Sequence, residues 1–185
     1  YEIHEIKNLF SDSDIIILEG LNDVIKPEKQ VDLNDITSII EKNLDDNIKC
    51  GNSLISQVSA EQGYYYDNAG NKISKAFIWK EQFKEVMQSG GFDIVIGNPP
   101  YVRQESIKPY KDYLKQHYQV YNGVADLYTY FYEQGINLLK PQGILAYITS
   151  NKWMRAKYGE ELRAFLLQNQ ILHLLDLGSK VFENA

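Results

Sequence analysis

The run Gly90-Gly91-Phe92-Asp93-Ile94-Val95-Ile96-Gly97-Asn98-Pro99-Pro100-Tyr101 decides how this chain is to be read. Residues 92–96 are few, almost wholly apolar and flanked by glycine, the pattern of a strand buried on both faces in a parallel sheet. Gly97 ends it and permits a close backbone approach, while Pro99 holds Asn98 extended and Pro100 does the same to Pro99. Two successive prolines also remove two N–H donors, so the carbonyls here can face a cavity without competing amides. What is left at the carboxyl end is a carboxamide, a bare carbonyl and an aromatic ring, at the edge where open α/β sheets place their ligands.

Those three groups suit a planar ring that carries an exocyclic amino group. Such an amine donates one N–H to the Asn98 side-chain oxygen and the other to the Pro99 carbonyl, while Tyr101 stacks on the ring. Accepting both protons draws the nitrogen lone pair out of conjugation and turns it toward an electrophile. The competing reading is that Asn-Pro-Pro-Tyr ends a strand and begins a turn.

Residues 92–101, continued by Val102, Arg103, Gln104 and Glu105, resemble motif IV of the amino-group DNA methyltransferases. The likeness is to the N6-adenine enzymes, and above all to those fused to endonucleases in type IIG restriction-modification proteins. It runs from about Asn47 to the last residue, in several separated blocks that keep the family's order. It implies an α/β fold, a partial class I (Rossmann-like) methyltransferase domain with a mainly parallel sheet flanked by helices. It also implies S-adenosylmethionine as methyl donor and double-stranded DNA as substrate, with Asn98, Pro99, Pro100 and Tyr101 as the catalytic group.

Composition is compatible with that reading. At 185 residues, 44% hydrophobic and 24% charged, the chain has ordinary globular composition and enough length for one core. Neither a signal peptide nor a long apolar run points to a membrane, and the single cysteine, Cys50, fits a reducing cytoplasm. His4, His117 and His173 offer no metal-ligand spacing, so no metal site is expected. A net charge of −6 runs against DNA binding, but it is unevenly spread. Residues 1–97 carry nine basic and seventeen acidic side chains, whereas residues 98–180 carry ten and seven, a basic excess downstream of the tetrapeptide.

Before the central strand, residues 1–46 form a segment of unclear role, with an apolar run at 15–18 and helical spacing over 33–44 after Asp32. No Gly-x-Gly turn follows an opening strand, and no acidic residue ends a second one. The resemblance assigns those features to cofactor binding. Residues 47–185 are therefore expected to be the central and C-terminal part of a larger enzyme's catalytic domain, with poor cofactor affinity and no activity taken alone. Residues 47–54 resemble motif III, a strand ending in a polar residue, which puts Asn52 against the target adenine or the cofactor's adenine. A plain strand-ending turn is the alternative. Tyr64 to Tyr66 read as a hairpin with residues 72–78, and Phe77, Trp79 and Phe83 as packing, with a short helix from Trp79.

After Tyr101, Arg103 and Gln104 enter a loop, residues 109–118 read as a helix with Lys108, Lys111 and Lys115 available to phosphates, and a second helix spans 126–139, closed by Lys140 to Gly143. Asp126 resembles the motif V residue that backs the adenine pocket and contacts cofactor, with a helix N-cap as the alternative. Tyr128 and Phe131 share one helical face and read as core. Residues 144–149 read as a second buried strand whose end, Ser150 to Trp153, shares the edge of Asn98 if the strands are parallel. Lys152, Arg155 and Lys157 form a basic cluster for DNA-backbone contact, or else a solvated face. Residues 160–168 read as helix and 171–177 as a third strand. Phe182 resembles the motif VIII aromatic that covers the second face of the flipped base. Two rivals stand beside this reading. One is a protein-glutamine N5 methyltransferase, whose substrate also offers a planar NH2, and the other is an inert DNA-binding or structural module. Target-recognition and endonuclease domains are expected outside this chain.

Overall fold

In a computed structural model of the chain, the described residues are 47–56 and 63–178. The expected strand at 15–18, the helix at 33–44 and Phe182 lie outside them. The chain forms two compact units, Tyr1–Tyr66 with Lys72–Lys84, and Asp67–Asn71 with Glu85–Ala185.

In the first unit β1 (Tyr64–Tyr66) pairs antiparallel with β2 (Lys72–Lys75), with Tyr64 opposite Lys75 and Tyr65 opposite Ser74. The hairpin is the expected one, but β2 stops at Lys75 because Ala76 turns to a parallel bridge with Asn52. That bridge is the only extended pairing within residues 47–56, where a full strand was expected. A short helix, α1 (Trp79–Gln82), comes next. The Trp79 indole donates to the Ser53 carbonyl at 3.0 Å and packs between Phe77, edge-on at 4.8 Å, and Phe83, stacked at 5.8 Å. All three rings are buried, which makes the segment a packing element as read from sequence.

After α2 (Lys84–Gln88), the second unit is built on a parallel pair, β3 (Phe92–Gly97) and β4 (Leu139–Tyr147). The glycines ahead of β3 have a steric cause. Gly91 has φ 116°, and a Cβ there would drive into the Leu138 carbonyl, which accepts the Phe92 N–H at 2.8 Å. A 3-10 turn (Lys108–Tyr110) leads into α3 (Lys111–His117), and α4 (Tyr128–Asn137) and α5 (Glu160–Leu166) follow among the described residues.

The core of this unit is α4. Tyr128, Thr129, Tyr130, Phe131, Glu133 and Gly135 are all buried, so the helix is enclosed on more than one side. Gly135 lets it settle on β4, since a Cβ there would come within 2.6 Å of the Tyr147 hydroxyl and 2.7 Å of Leu145 Cδ1. Tyr128 and Phe131 are core residues, as their spacing suggests.

Three expectations are corrected here. β3 is buried on one face only. Leu145 and Tyr147 meet α4, and their register partners Val95 and Gly97 share that half-buried face, but Ile94 and Ile96 alternate to the other face and are 54% and 75% exposed. Nothing among the described residues covers that side. Second, the helix expected over 126–139 is shorter, and Lys140 to Gly143 lie inside β4 instead of closing the helix. They form an irregularity between the Phe92–Leu139 and Ile94–Ile144 pairs, with Gln142 at φ 69° and Lys140 ion-paired to Asp93 at 2.9 Å. Third, residues 171–177 are exposed and irregular, because among the described residues no ladder partner reaches them. Among the described residues, no helix is long and apolar enough to cross a membrane.

Candidate active site

The parallel register brings the ends of β3 and β4 to one edge. Gly97 pairs with Tyr147, and the Gly97 carbonyl accepts the Ile148 N–H at 3.1 Å. A Cβ on Gly97 would lie 3.0 Å from the Tyr147 ring, so the close approach expected of this glycine is to an aromatic side chain of the neighbouring strand. Asn98 to Tyr101 and Thr149 to Trp153 therefore leave the sheet together.

Within the tetrapeptide, burial alternates in a useful way. Pro99 is fully buried and Pro100 half-buried, whereas Asn98 is exposed and Tyr101 is 50% exposed. The buried proline anchors the segment and the two flanking side chains face solvent. Among the described residues, neither the Asn98 carboxamide nor the Pro99 carbonyl has a hydrogen-bond partner. Partial burial pushes the Tyr101 hydroxyl above its usual range, so the ring is neutral at physiological pH.

Behind Tyr101 stands a wall of aromatic side chains. The Tyr128 ring lies 6.2 Å from it, inclined at 47°, and the Tyr128 and Tyr158 hydroxyls are 2.9 Å apart. Tyr132 bonds through its hydroxyl to Thr149 at 2.7 Å and meets Tyr147 and Trp153 edge-on, each at 5.6 Å. Desolvation pushes the Tyr128 and Tyr132 phenols up, so these hydroxyls are neutral hydrogen-bonding groups.

The loop after Tyr101 is tied down by the start of α4. Leu127 N–H donates to the Val102 carbonyl at 2.9 Å, and the Gln104 N–H donates to Asp126 Oδ1 at 3.3 Å. Asp126 is thus not a helix N-cap. The helix begins at Tyr128, its cap residue Leu127 makes no side-chain capping bond, and the Asp126 carboxylate instead steadies the backbone next to the tetrapeptide. Lys111 is likewise held by protein acceptors, which take two of its three N–H groups. Its ammonium donates to Gln104 Oε1 and to the Gly123 carbonyl, both at 2.6 Å. Arg103, Lys108 and Lys115 are exposed.

Lys152, Arg155 and Lys157 are exposed on two short 3-10 turns, Lys152–Met154 and Lys157–Gly159. Arg163 of α5 fastens those turns by donating to the Trp153 carbonyl at 2.6 Å and the Ala156 carbonyl at 3.0 Å. Gly159 sits so close to the Trp153 carbonyl that a side chain there would collide with backbone. In the other unit, Asn52 keeps its carboxamide at home, where Oδ1 accepts the Leu54 N–H at 3.2 Å and Nδ2 reaches Ser74 Oγ at 3.5 Å.

Sequence reasoning did not single out Glu133, which is only 2% exposed and accepts the N–H groups of Gln119 and Val120 at 3.1 and 2.9 Å. A lone carboxylate inside the aromatic run of α4 was the signal, because an acid in that company is buried only when it is hydrogen-bonded. Tyr132 and Thr149 were missed as well, since only the parallel register makes them neighbours. Among the described residues, no group of three or more His, Cys, Asp or Glu side chains is placed to hold a metal ion.

Comparison with known proteins bears on this edge. The chain is similar to the type II methyltransferase M.BstVI of Geobacillus stearothermophilus, 39% identical over 58% of this chain and 19% of that protein. It is 35% identical to the type II methyltransferase M.XhoI of Xanthomonas vasicola, over 59% of this chain and 20% of the relative. The type II restriction enzyme and methyltransferase RM.Eco57I of Escherichia coli is 32% identical over 76% of this chain and 13% of its own length. The chain thus matches a fifth or less of each of these three relatives. The description of one family, the Eco57I restriction-modification methylases, fits residues 8–182, a span that holds the tetrapeptide, the aromatic wall and the basic turns, and the chain belongs to that family.

Proposed function

We propose that this chain is part of a site-specific DNA methyltransferase that transfers a methyl group from S-adenosylmethionine to adenine N6 in duplex DNA. One observation carries the reading. An exposed Asn98 carboxamide, an unpartnered Pro99 carbonyl and a half-exposed Tyr101 ring adjoin one another on a segment anchored by a buried proline. Asn98 Oδ1 and the Pro99 oxygen accept the two N–H bonds of the exocyclic amine, and Tyr101 stacks on the purine. Pro100 keeps that backbone extended and free of a competing donor. The two acceptors hold the nitrogen lone pair toward the methyl donor. Transfer would form the N–C bond as the donor's S–C bond breaks and a neutral thioether leaves, and the cationic nitrogen would then lose a proton to water, so no carboxylate base would be needed. Catalysis is orientation and electrostatics.

When bound, S-adenosylmethionine supplies an electrophilic methyl on a sulfonium centre. The residues present fit it in part, since the open face of Tyr101 suits a cation. Asp126 Oδ1 is already engaged by the Gln104 amide and Asn52 Oδ1 by the Leu54 amide, so these two residues offer only their remaining hydrogen-bonding capacity to cofactor or adenine. Residues 47–185 are assigned to the catalytic domain, of class I Rossmann-like type, with residues 1–46 as a segment of separate role. Arg103, Lys152, Arg155 and Lys157 contact the DNA backbone, and Phe182 covers the second face of the extruded base. The name of RM.Eco57I supports a fused endonuclease as a further part of the intact protein.

The test is Asn98→Ala in the full-length protein, incubated with duplex DNA and analysed for N6-methyladenine by mass spectrometry. Loss of product with unchanged melting temperature is expected. Near-wild-type methylation rejects the assigned role, and a methylated glutamine in place of a methylated base favours the protein-modifying rival.

A further inference from the structure

The loop that leaves the tetrapeptide is held at three points, two of them by residues more than twenty positions away. Val102 O accepts Leu127 N–H at 2.9 Å, Gln104 N–H donates to Asp126 Oδ1 at 3.3 Å, and Gln104 Oε1 accepts the Lys111 ammonium at 2.6 Å. The same ammonium donates to the Gly123 carbonyl at 2.6 Å. Lys111 therefore sits between the loop after Tyr101 and the turn before α4, and commits two of its three N–H groups there. Lys108 and Lys115 flank it in sequence and are exposed, whereas Lys111 is half-buried.

We propose that Lys111 is a positioning residue for methyl transfer: by clamping Gln104 to Gly123 it fixes the loop that sets Tyr101 beside the amine acceptors, and it makes no contact with DNA phosphate. This rests on the function proposed above. The clamp has the right chemistry for the task. Charge-assisted bonds are shorter and stronger than neutral ones, and both acceptors are carbonyl oxygens, with the Glu105 carboxylate, held below its usual range by its own backbone amide first and by Gln104, Arg103 and Lys111 besides, close by. Gln104 is bonded through its backbone to Asp126 and through its side chain to Lys111, which leaves it little freedom to swing. Arg103, one residue earlier, points its side chain to solvent while its carbonyl accepts the Ser106 N–H at 3.0 Å. The loop thus holds Tyr101 still on one side and presents Arg103 on the other.

The experiment uses the full-length protein and its duplex substrate, with kcat and KM measured across a salt series for wild type, Lys111→Met, Gln104→Ala and the double variant. Lys111→Met is expected to lower kcat about ten-fold, the size of one lost charge-assisted bond. The slope of log KM against log salt should stay at its wild-type value, because no phosphate contact is lost. Gln104→Ala should match it, and the double variant should be no worse than either single one, since the two residues act as one unit. A slope reduced by about one with kcat unchanged makes Lys111 a phosphate ligand and overturns the proposal. So does wild-type behaviour of Lys111→Met, or losses that multiply in the double variant. If Lys111→Met fails to fold, Gln104→Ala carries the same readouts with the ammonium still on Gly123. Asn98→Ala is run alongside. If it retains activity, the functional reading itself fails, whereas an inactive Asn98→Ala with a normal Lys111→Met sinks the clamp alone.

Discussion

Two asparagines, one in an isolated β-bridge and the other just past the end of β3, have opposite fates in this molecule. Asn52 is half-buried and spends its carboxamide on the Leu54 amide and the Ser74 hydroxyl. Asn98 is exposed and, among the described residues, its carboxamide meets nothing. The next two residues make the difference. After Asn52 the chain turns back at once and presents the Leu54 N–H, which the side-chain oxygen accepts. After Asn98 come two prolines, which have no N–H to offer and hold the backbone extended. A carboxamide at a strand end is thus available for chemistry only where its own backbone cannot claim it, and the double proline is the device that keeps it unclaimed.

The severest test of this contrast removes the unclaimed carboxamide. Asn98→Ala in the full-length protein should cost about 100- to 1,000-fold in methylation rate, the range found when one preorganised hydrogen-bonding group is lost. Denaturant midpoints should not move, since the side chain is exposed. If stability falls with activity, the contrast with Asn52 disappears. Next in size is Gly159→Ala, which presses a methyl group into the Trp153 carbonyl and should lower stability by about 1–3 kcal/mol in urea unfolding. It would show that the turns after β4, at the edge that Asn98 shares, rest on backbone packing with no room for a side chain. Asn52→Ala should cost about 1 kcal/mol of stability, the worth of its turn bond, and a larger loss of activity than of stability would assign Asn52 to the reaction after all. The smallest effect concerns pH. The Tyr101 phenol is raised by burial, so Tyr101→Phe should leave the pH–rate profile unaltered up to about pH 9.

Buried phenols add a related expectation for the whole unit. Desolvation holds Tyr118 well above its usual 10.0, with Tyr113 and Glu133 adding to it. In such a group the neutral form is the folded one, so its contribution is fully present below about pH 10 and is lost as pH rises through the folded value. Circular dichroism should show an alkaline transition and no counterpart from these groups at neutral pH.

Much of the site edge was legible in the sequence because local rules govern it. The glycine pair, the strand from Phe92 and the stop at Gly97 each arise from backbone sterics within a few residues, and all three are present. What sequence could not supply was the fate of a segment that has strand composition and no partner. Residues 171–177 have strand composition, but a strand exists only through a ladder, and none forms on them among the described residues. Lys111 looked like one of three equivalent surface lysines because the acceptors that claim it, Gln104 and Gly123, are brought to it by tertiary structure. Asp126 sits where a cap belongs, yet the competing amide of Gln104 wins its carboxylate. The proposed base-binding roles rest on residues whose type and exposure suit them, and for Phe182 on sequence alone.

The face of the β3–β4 pair that no described residue covers matters in practice for anyone handling residues 1–185. Ile94, Ile96 and Ile144 form a greasy stripe, and the leucines at 172, 174, 175 and 177 add a second adhesive length of chain. A preparation should therefore clump as it is concentrated, light up the dye ANS while still native, and clear when Ile96 is replaced by lysine, which gives the stripe a repulsive charge.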